Sequence, residues 1–120
     1  MRDFKKIQVW QKSHEFTLII YKITTIFPED ERFGLISQIR RATASIPTNI
    51  AEGAGRDTQK EFARFVHIAT GSASEVEYLL LLAHELDYIS IEEYSSLEKE
   101  IIEIKRMLYG FGKALKKPKA

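Results

Sequence analysis

Four stretches of this sequence place apolar residues three and four positions apart, the spacing at which side chains share one face of an α-helix. The longest carries Phe62, Phe65, Ala69, Ala73, Val76, Leu80, Ala83 and Leu86. It opens on Thr58 and Glu61, which have the spacing of a capping box. Its waist, "ATGSAS" at 69–74, is unusually small. Gly71 in mid-helix costs about 1 kcal/mol against alanine, so close approach of another backbone is the expected compensation there.

The other three runs follow the same period. The first spans about Ile7 to Phe27, with Phe16, Ile20, Ile23 and Phe27 in line. Pro28 disfavours helix at Phe27, and Asp30 stands where an N-cap for the next helix belongs. The second run begins near Glu31 to Gly34 and carries Ile36, Ile39, Thr43, Ile46 and Ile50. Its period continues through Pro47. A proline there removes one hydrogen bond and crowds the Thr43 carbonyl, so a bend is expected rather than a stop. Gly53 or Gly55 is expected to end the helix in the left-handed conformation.

The fourth run starts with a second capping box, Ser90 and Glu93, and carries Ile91, Tyr94, Leu97, Ile101, Ile104, Leu108 and Phe111. Beyond Gly110 and Gly112, "KALKKPKA" reads as a frayed basic tail. Four long helices with short connections predict an all-α fold, an antiparallel up-down four-helix bundle with a proline-kinked second helix. It occupies residues 1–112 as a single domain, followed by a basic tail over 113–120.

Composition narrows the function classes. There is no cysteine, which excludes disulfides and thiolate metal sites and fits a reducing cytoplasm. The start shows no signal peptide, and the apolar runs "YLLLLA" and "LIIY" are too short to span a bilayer. The net charge is +1, but it is uneven. Both ends of the chain are basic, whereas residues 84–103 carry Glu85, Asp87, Glu92, Glu93, Glu98, Glu100 and Glu103 against Lys99.

Two helices carry more apolar surface than one stripe requires. Leu18 and Tyr21 point away from the Phe16 stripe, and Tyr78, Leu81 and Leu82 point away from the Phe62 stripe. A helix apolar nearly all round is usually buried all round. In a bundle this small, another subunit is the natural cover, so these five residues are candidates for an oligomer interface.

Catalytic constellations are missing. A di-iron bundle needs a carboxylate three positions before each histidine, but His14, His67 and His84 follow Gln11, Arg64 and Leu81. There is no His-Glu-x-x-His motif, no phosphate loop and no Gly-x-Ser-x-Gly elbow. Glu75 and Glu77, two apart, point to different sides. The sequence predicts no catalytic residue, no metal site and no cofactor.

The second helix has a distinctive polar side: Gln38, Arg41, Ser45, Thr48, Asn49, Glu52 and Arg56. Ser45, Thr48 and Asn49 could satisfy backbone groups freed by Pro47, with Glu52 paired to Arg56. The same stripe could equally face a partner. Arg40, Arg41, Arg56, Lys60 and Arg64, with the tail lysines Lys116 and Lys117, are the candidates for phosphate contacts.

The segments "QIRRA", "SIPTNIAEG" and "ATGS", in this order and at this spacing, resemble the four-helix-bundle family encoded in intervening sequences of 23S rRNA genes, often labelled S23 ribosomal protein. The resemblance covers about Phe4 to Tyr109. It implies an up-down bundle similar to the accessory protein of diversity-generating retroelements, a pentameric barrel that binds a reverse transcriptase and nucleic acid through basic surface. It also implies that "SIPTNIAEGAGR" is a kinked helix end and not a phosphate loop. No catalytic residue carries over. The expectation is therefore a cytoplasmic homo-oligomer, a pentamer, that associates with RNA or a nucleic-acid-processing protein. The alternative is an oligomeric protein-interaction adaptor that binds no nucleic acid. A small enzyme using the bundle core is the third reading.

Overall fold

The computed structural model describes residues 2–118. Four helices follow in order, α1 Gln8–Ile23, α2 Leu35–Ala54, α3 Gln59–Glu85 and α4 Ile91–Lys116, with 3-10 turns at Phe4–Lys6, Thr24–Ile26 and Glu29–Glu31. Among the described residues there is no strand. Helix α2 packs on α3, α3 on α4, α1 on α2 and, more lightly, α1 on α4. Helices α1 and α3 therefore occupy diagonal corners of a four-helix bundle measuring 51 × 23 × 20 Å. No described helix is long and apolar enough to cross a membrane.

The predicted stripes form the core. Phe16, Ile20, Ile39, Ile46, Ile50, Phe62, Val66, Val76, Leu80, Ile101, Ile104 and Leu108 are all essentially inaccessible. Each such side chain contributes roughly 1.5–3 kcal/mol of burial. Three stripe positions differ: Leu35 rather than Ile36 is buried on α2, and Leu86 beyond the end of α3 and Ile91 at the start of α4 are exposed. Buried hydroxyls are satisfied locally, Thr17, Thr24 and Thr43 each donating to the carbonyl four residues back.

The helix ends depart from expectation, each for a local reason. Helix α1 stops at Ile23 and tightens into the 3-10 turn before Pro28. Asp30 does not cap α2. The N-cap is Gly34, and Glu31 Oε1 accepts from the Leu35 N–H at 3.1 Å. A Cβ on Gly34 would lie 2.7 Å from that oxygen, so the glycine leaves the carboxylate room. Helix α2 runs on through Pro47 to Ala54. Asn49 Nδ2 donates to the Ser45 carbonyl, not to the Thr43 carbonyl opposite the proline.

Neither Gly53 nor Gly55 is left-handed, since among the described residues no glycine has a positive φ. Gly53 serves packing instead: a Cβ there would meet Phe62 Cδ1 at 2.7 Å and Phe65 Cβ at 2.8 Å. The reverse holds for Gly71, which is exposed and has nothing within 4 Å of where its Cβ would stand. Within one chain, no backbone approaches the small waist of α3 at Gly71.

At the start of α3 the Thr58 hydroxyl accepts from the Glu61 N–H, whereas Ser90 and Glu93 form the full reciprocal box at the start of α4. Just past the end of α3 and its C-cap Leu86, Asp87 adopts φ 64°. The Tyr88 N–H bonds the Ala83 carbonyl and the Asp87 N–H bonds the His84 carbonyl, the Schellman arrangement with aspartate where glycine is usual. Helix α4 passes through Gly110 and Gly112 to Lys116, so the first residues of the expected tail are helical. Lys119 lies outside the described residues.

The up-down path sorts the charges. At one end of the bundle Arg2, Lys5, Lys6, Arg56, Lys60, Arg64, Lys113, Lys116 and Lys117 outnumber Asp3, Glu52, Asp57 and Glu61. The other end collects Glu29, Asp30, Glu31, Glu85, Asp87, Glu92 and Glu93 against Arg32.

Candidate nucleic-acid interface

The basic end is built from the α2–α3 connection and the last turns of α4. The Arg56 guanidinium lies 4.8 Å from the Phe65 ring centroid, and that of Arg64 lies 5.3 Å from the same centroid. The buried ring thus holds both guanidiniums near the surface without neutralising them. Arg56 is not paired with Glu52. Among the described residues, ion pairs join Lys12 to Glu100, Lys105 to Glu77 and Arg106 to Glu103, and none involves Arg56, Lys60, Arg64, Lys113 or Lys116. Behind Arg56, Arg2 donates to the Arg56 carbonyl at 2.8 Å and to the Ala54 carbonyl at 3.3 Å. It caps the carbonyl end of α2 and stacks on Phe62 at 4.9 Å.

Between α3 and α4, Lys60, Arg64, His67 and Lys116 border a groove of about 550 Å³. It continues into a narrower pocket of about 260 Å³ lined in part by Val66, Leu108, Tyr109, Gly112 and Lys113. No carboxylate lines either part. Lys60, Arg64 and His67 share one face of α3 by their spacing, as Tyr109, Lys113 and Lys116 do on α4. Sequence reasoning passed over His67 and Tyr109 as members of this site, although that spacing was available, and took in Lys113 only as part of the basic tail.

The chain matches the family described as 23S rRNA-intervening sequence protein over residues 5–110. It belongs to that family. Among solved structures of similar fold is a protein with unknown function from the S23 ribosomal protein family of Bacteroides thetaiotaomicron. It is 32% identical to this chain, with a TM-score of 0.80, and the match covers 88% of this chain and 95% of that one. A search of curated proteins gave no match.

Not every arginine singled out in this family member reaches the basic end. Arg40 is committed to the fold: Nε donates to Thr24 Oγ1 at 2.8 Å, Nη2 donates to the Tyr21 carbonyl at 3.0 Å, and the guanidinium lies over the Tyr21 ring at 4.8 Å. It ties α1 to α2. Arg41 lines a separate polar groove of about 600 Å³ with Phe33, Gln38, Ser45 and Glu75, about 20 Å along α2 from Arg56 at 1.5 Å per residue. The polar stripe of α2 is partly consumed by packing, because Ser45 hydrogen-bonds Ser72 of α3. Lys116 and Lys117 sit at the end of α4.

The apolar candidates divide in the same way. Leu18, Tyr21 and Tyr78 are 59%, 42% and 59% exposed, and Leu81 is also exposed. Leu82 is half-buried and packs against the core. Ile19, next to Leu18, and Ile68, earlier on α3, are exposed as well. The histidines show no metal geometry, and among the described residues no group of three or more potential ligands converges. His14 stacks on Trp10 and His84 on Tyr94.

Proposed function

We propose that this family member is a non-enzymatic homo-oligomeric scaffold that associates with RNA or a nucleoprotein through its basic end. The observation that carries the reading is the gathering of Lys60, Arg64, Lys113 and Lys116 around one groove, with Arg56 on the same Phe65 ring as Arg64 and none of the five ion-paired. Cations left free at one end supply the non-specific, salt-dependent attraction that phosphates recognise.

Assembly is supported by the exposed apolar patches of α1 and α3. These helices are diagonal, so the two patches are distinct surfaces. Two different patches meeting head to tail close into a ring or run on as a filament. The pentamer implied by the family resemblance is the closed form we assign, with a mass five times the 13.9 kDa chain. In a ring the basic ends add, so a chain with net charge +1 presents a strong local field.

The test is fluorescence anisotropy of a labelled structured RNA over a salt series. The expected result is binding that falls steeply with log salt and is lost in the double variant Arg56→Glu, Arg64→Glu. Flat anisotropy at every salt concentration would leave the second reading, an oligomeric protein adaptor.

A further inference from the structure

The geometry points to the α3–α4 groove as a site for an unpaired segment of nucleic acid, gripping bases as well as phosphates. This inference rests on the nucleic-acid reading above and adds which form of nucleic acid is bound and where. The two banks of the groove are cationic, Lys60 and Arg64 on α3 and Lys113 and Lys116 on α4. Its accessible lining is apolar where Leu115, Gly112 and the Tyr109 ring face it, over the buried Ala63, Val66 and Leu108. Phosphates gain nothing from an apolar lining. The flat face of a base does, because it is poorly hydrated and packs against carbon.

At the lip stands Tyr109, 64% exposed, with the Lys113 ammonium 5.3 Å from its ring centroid. A cationic groove with an aromatic platform is the arrangement on which successive unpaired bases stack, tolerant of sequence because every base has a π-face. A duplex hides those faces in its own stack and offers the protein only backbone and groove edges. The narrow pocket beside Tyr109, about 260 Å³, suits an extruded base and not a helix.

Binding of a labelled single-stranded oligonucleotide and of the matching perfect duplex is compared for the wild-type protein, Tyr109→Ala and Tyr109→Phe. The expected result is tighter wild-type binding of the single strand. Tyr109→Ala should weaken it roughly tenfold, the order of one lost base stack, while leaving the duplex unchanged, and Tyr109→Phe should retain it. Tyr109 is exposed, and a thermal melt confirms that each variant folds. Single-strand binding that is unaffected by Tyr109→Ala, or no tighter than duplex binding, overturns the site but not the nucleic-acid reading. No binding of either form at low salt overturns both. Displacement of the bound strand by polyglutamate at equal charge concentration would assign the groove to an acidic protein segment and overturn the proposal.

Discussion

Glu31 and Tyr88, 57 positions apart, meet at the acidic end of the bundle, where the phenol donates to Oε2 at 2.9 Å while Oε1 accepts from the Leu35 N–H. One carboxylate thus caps α2 and anchors the α3–α4 connection. The hydrogen bond to Glu31 holds the Tyr88 phenol above its ordinary pKa, with burial and the charges of Glu31 and Asp30 acting the same way. Glu31→Ala is expected to cost about 1 kcal/mol through the lost cap. Amide hydrogen exchange should accelerate at Leu35, whose N–H loses its acceptor, and leave the middle of α2 protected.

The two glycines of contrasting surroundings give opposite expectations. Gly53→Ala forces a Cβ against Phe62 and Phe65 and should destabilise by about 1–3 kcal/mol, as over-packing does. Gly71→Ala meets open space and should stabilise the isolated chain by up to about 1 kcal/mol through helix propensity. Denaturant titration reads both. A Gly71→Ala protein that folds normally but no longer assembles would place the small waist of α3 in a subunit contact.

Asp87 holds the left-handed position that closes α3. Glycine adopts that conformation without the steric cost of a Cβ. Asp87→Gly should therefore raise stability by about 0.5–1 kcal/mol, read as a higher melting temperature. An unchanged or lower value would show that the aspartate contributes more than its backbone angle.

Tyr94 donates to Glu98 Oε2 at 2.8 Å. That bond pushes its pKa up to about 12, aided by burial and by the charges of Glu98, Glu77 and Glu85. The ordinary value is 10.0, so the fold favours the neutral phenol. This contribution is complete below pH 10 and is lost as the pH rises towards 12. Spectroscopic tyrosinate titration should show one step near pH 12 that is absent in Tyr94→Phe. The same substitution should leave stability less pH-dependent over that interval.

Head-to-tail association predicts complementation. Leu18→Glu blocks the α1 patch and Tyr78→Glu the α3 patch, so each variant alone should be monomeric by light scattering. Mixed, the two retain one intact patch each and should form a heterodimer that grows no further. Association through a single two-fold patch would leave the mixture no larger than either variant alone.

The helical periods were legible because a stripe needs only the residues of its own helix. Phe16, Ile39, Phe62, Ile101 and their neighbours are buried as the spacing requires. Helix ends were less so, since Glu31 caps α2 from outside the usual cap position and Asp87 closes α3 in place of glycine. Gly53 rather than Gly71 takes the close approach, because close approach is a property of the neighbouring helix. Arg40 looked like its neighbour Arg41, and only Thr24 and Tyr21, on an earlier segment, distinguish it. The groove between α3 and α4 joins residues about fifty positions apart, a pairing that the period of neither helix contains.

The separation of charge along the bundle changes what the net charge of +1 means. At physiological ionic strength, mobile ions screen exposed charges over about 8 Å, whereas the molecule extends 51 Å. A polyanion resting against Arg56 and Lys60 is beyond the reach of the carboxylates around Glu92. The two ends are electrostatically deaf to one another, and each meets its surroundings as a separate strongly charged body. Isoelectric behaviour therefore says little about what either end attracts.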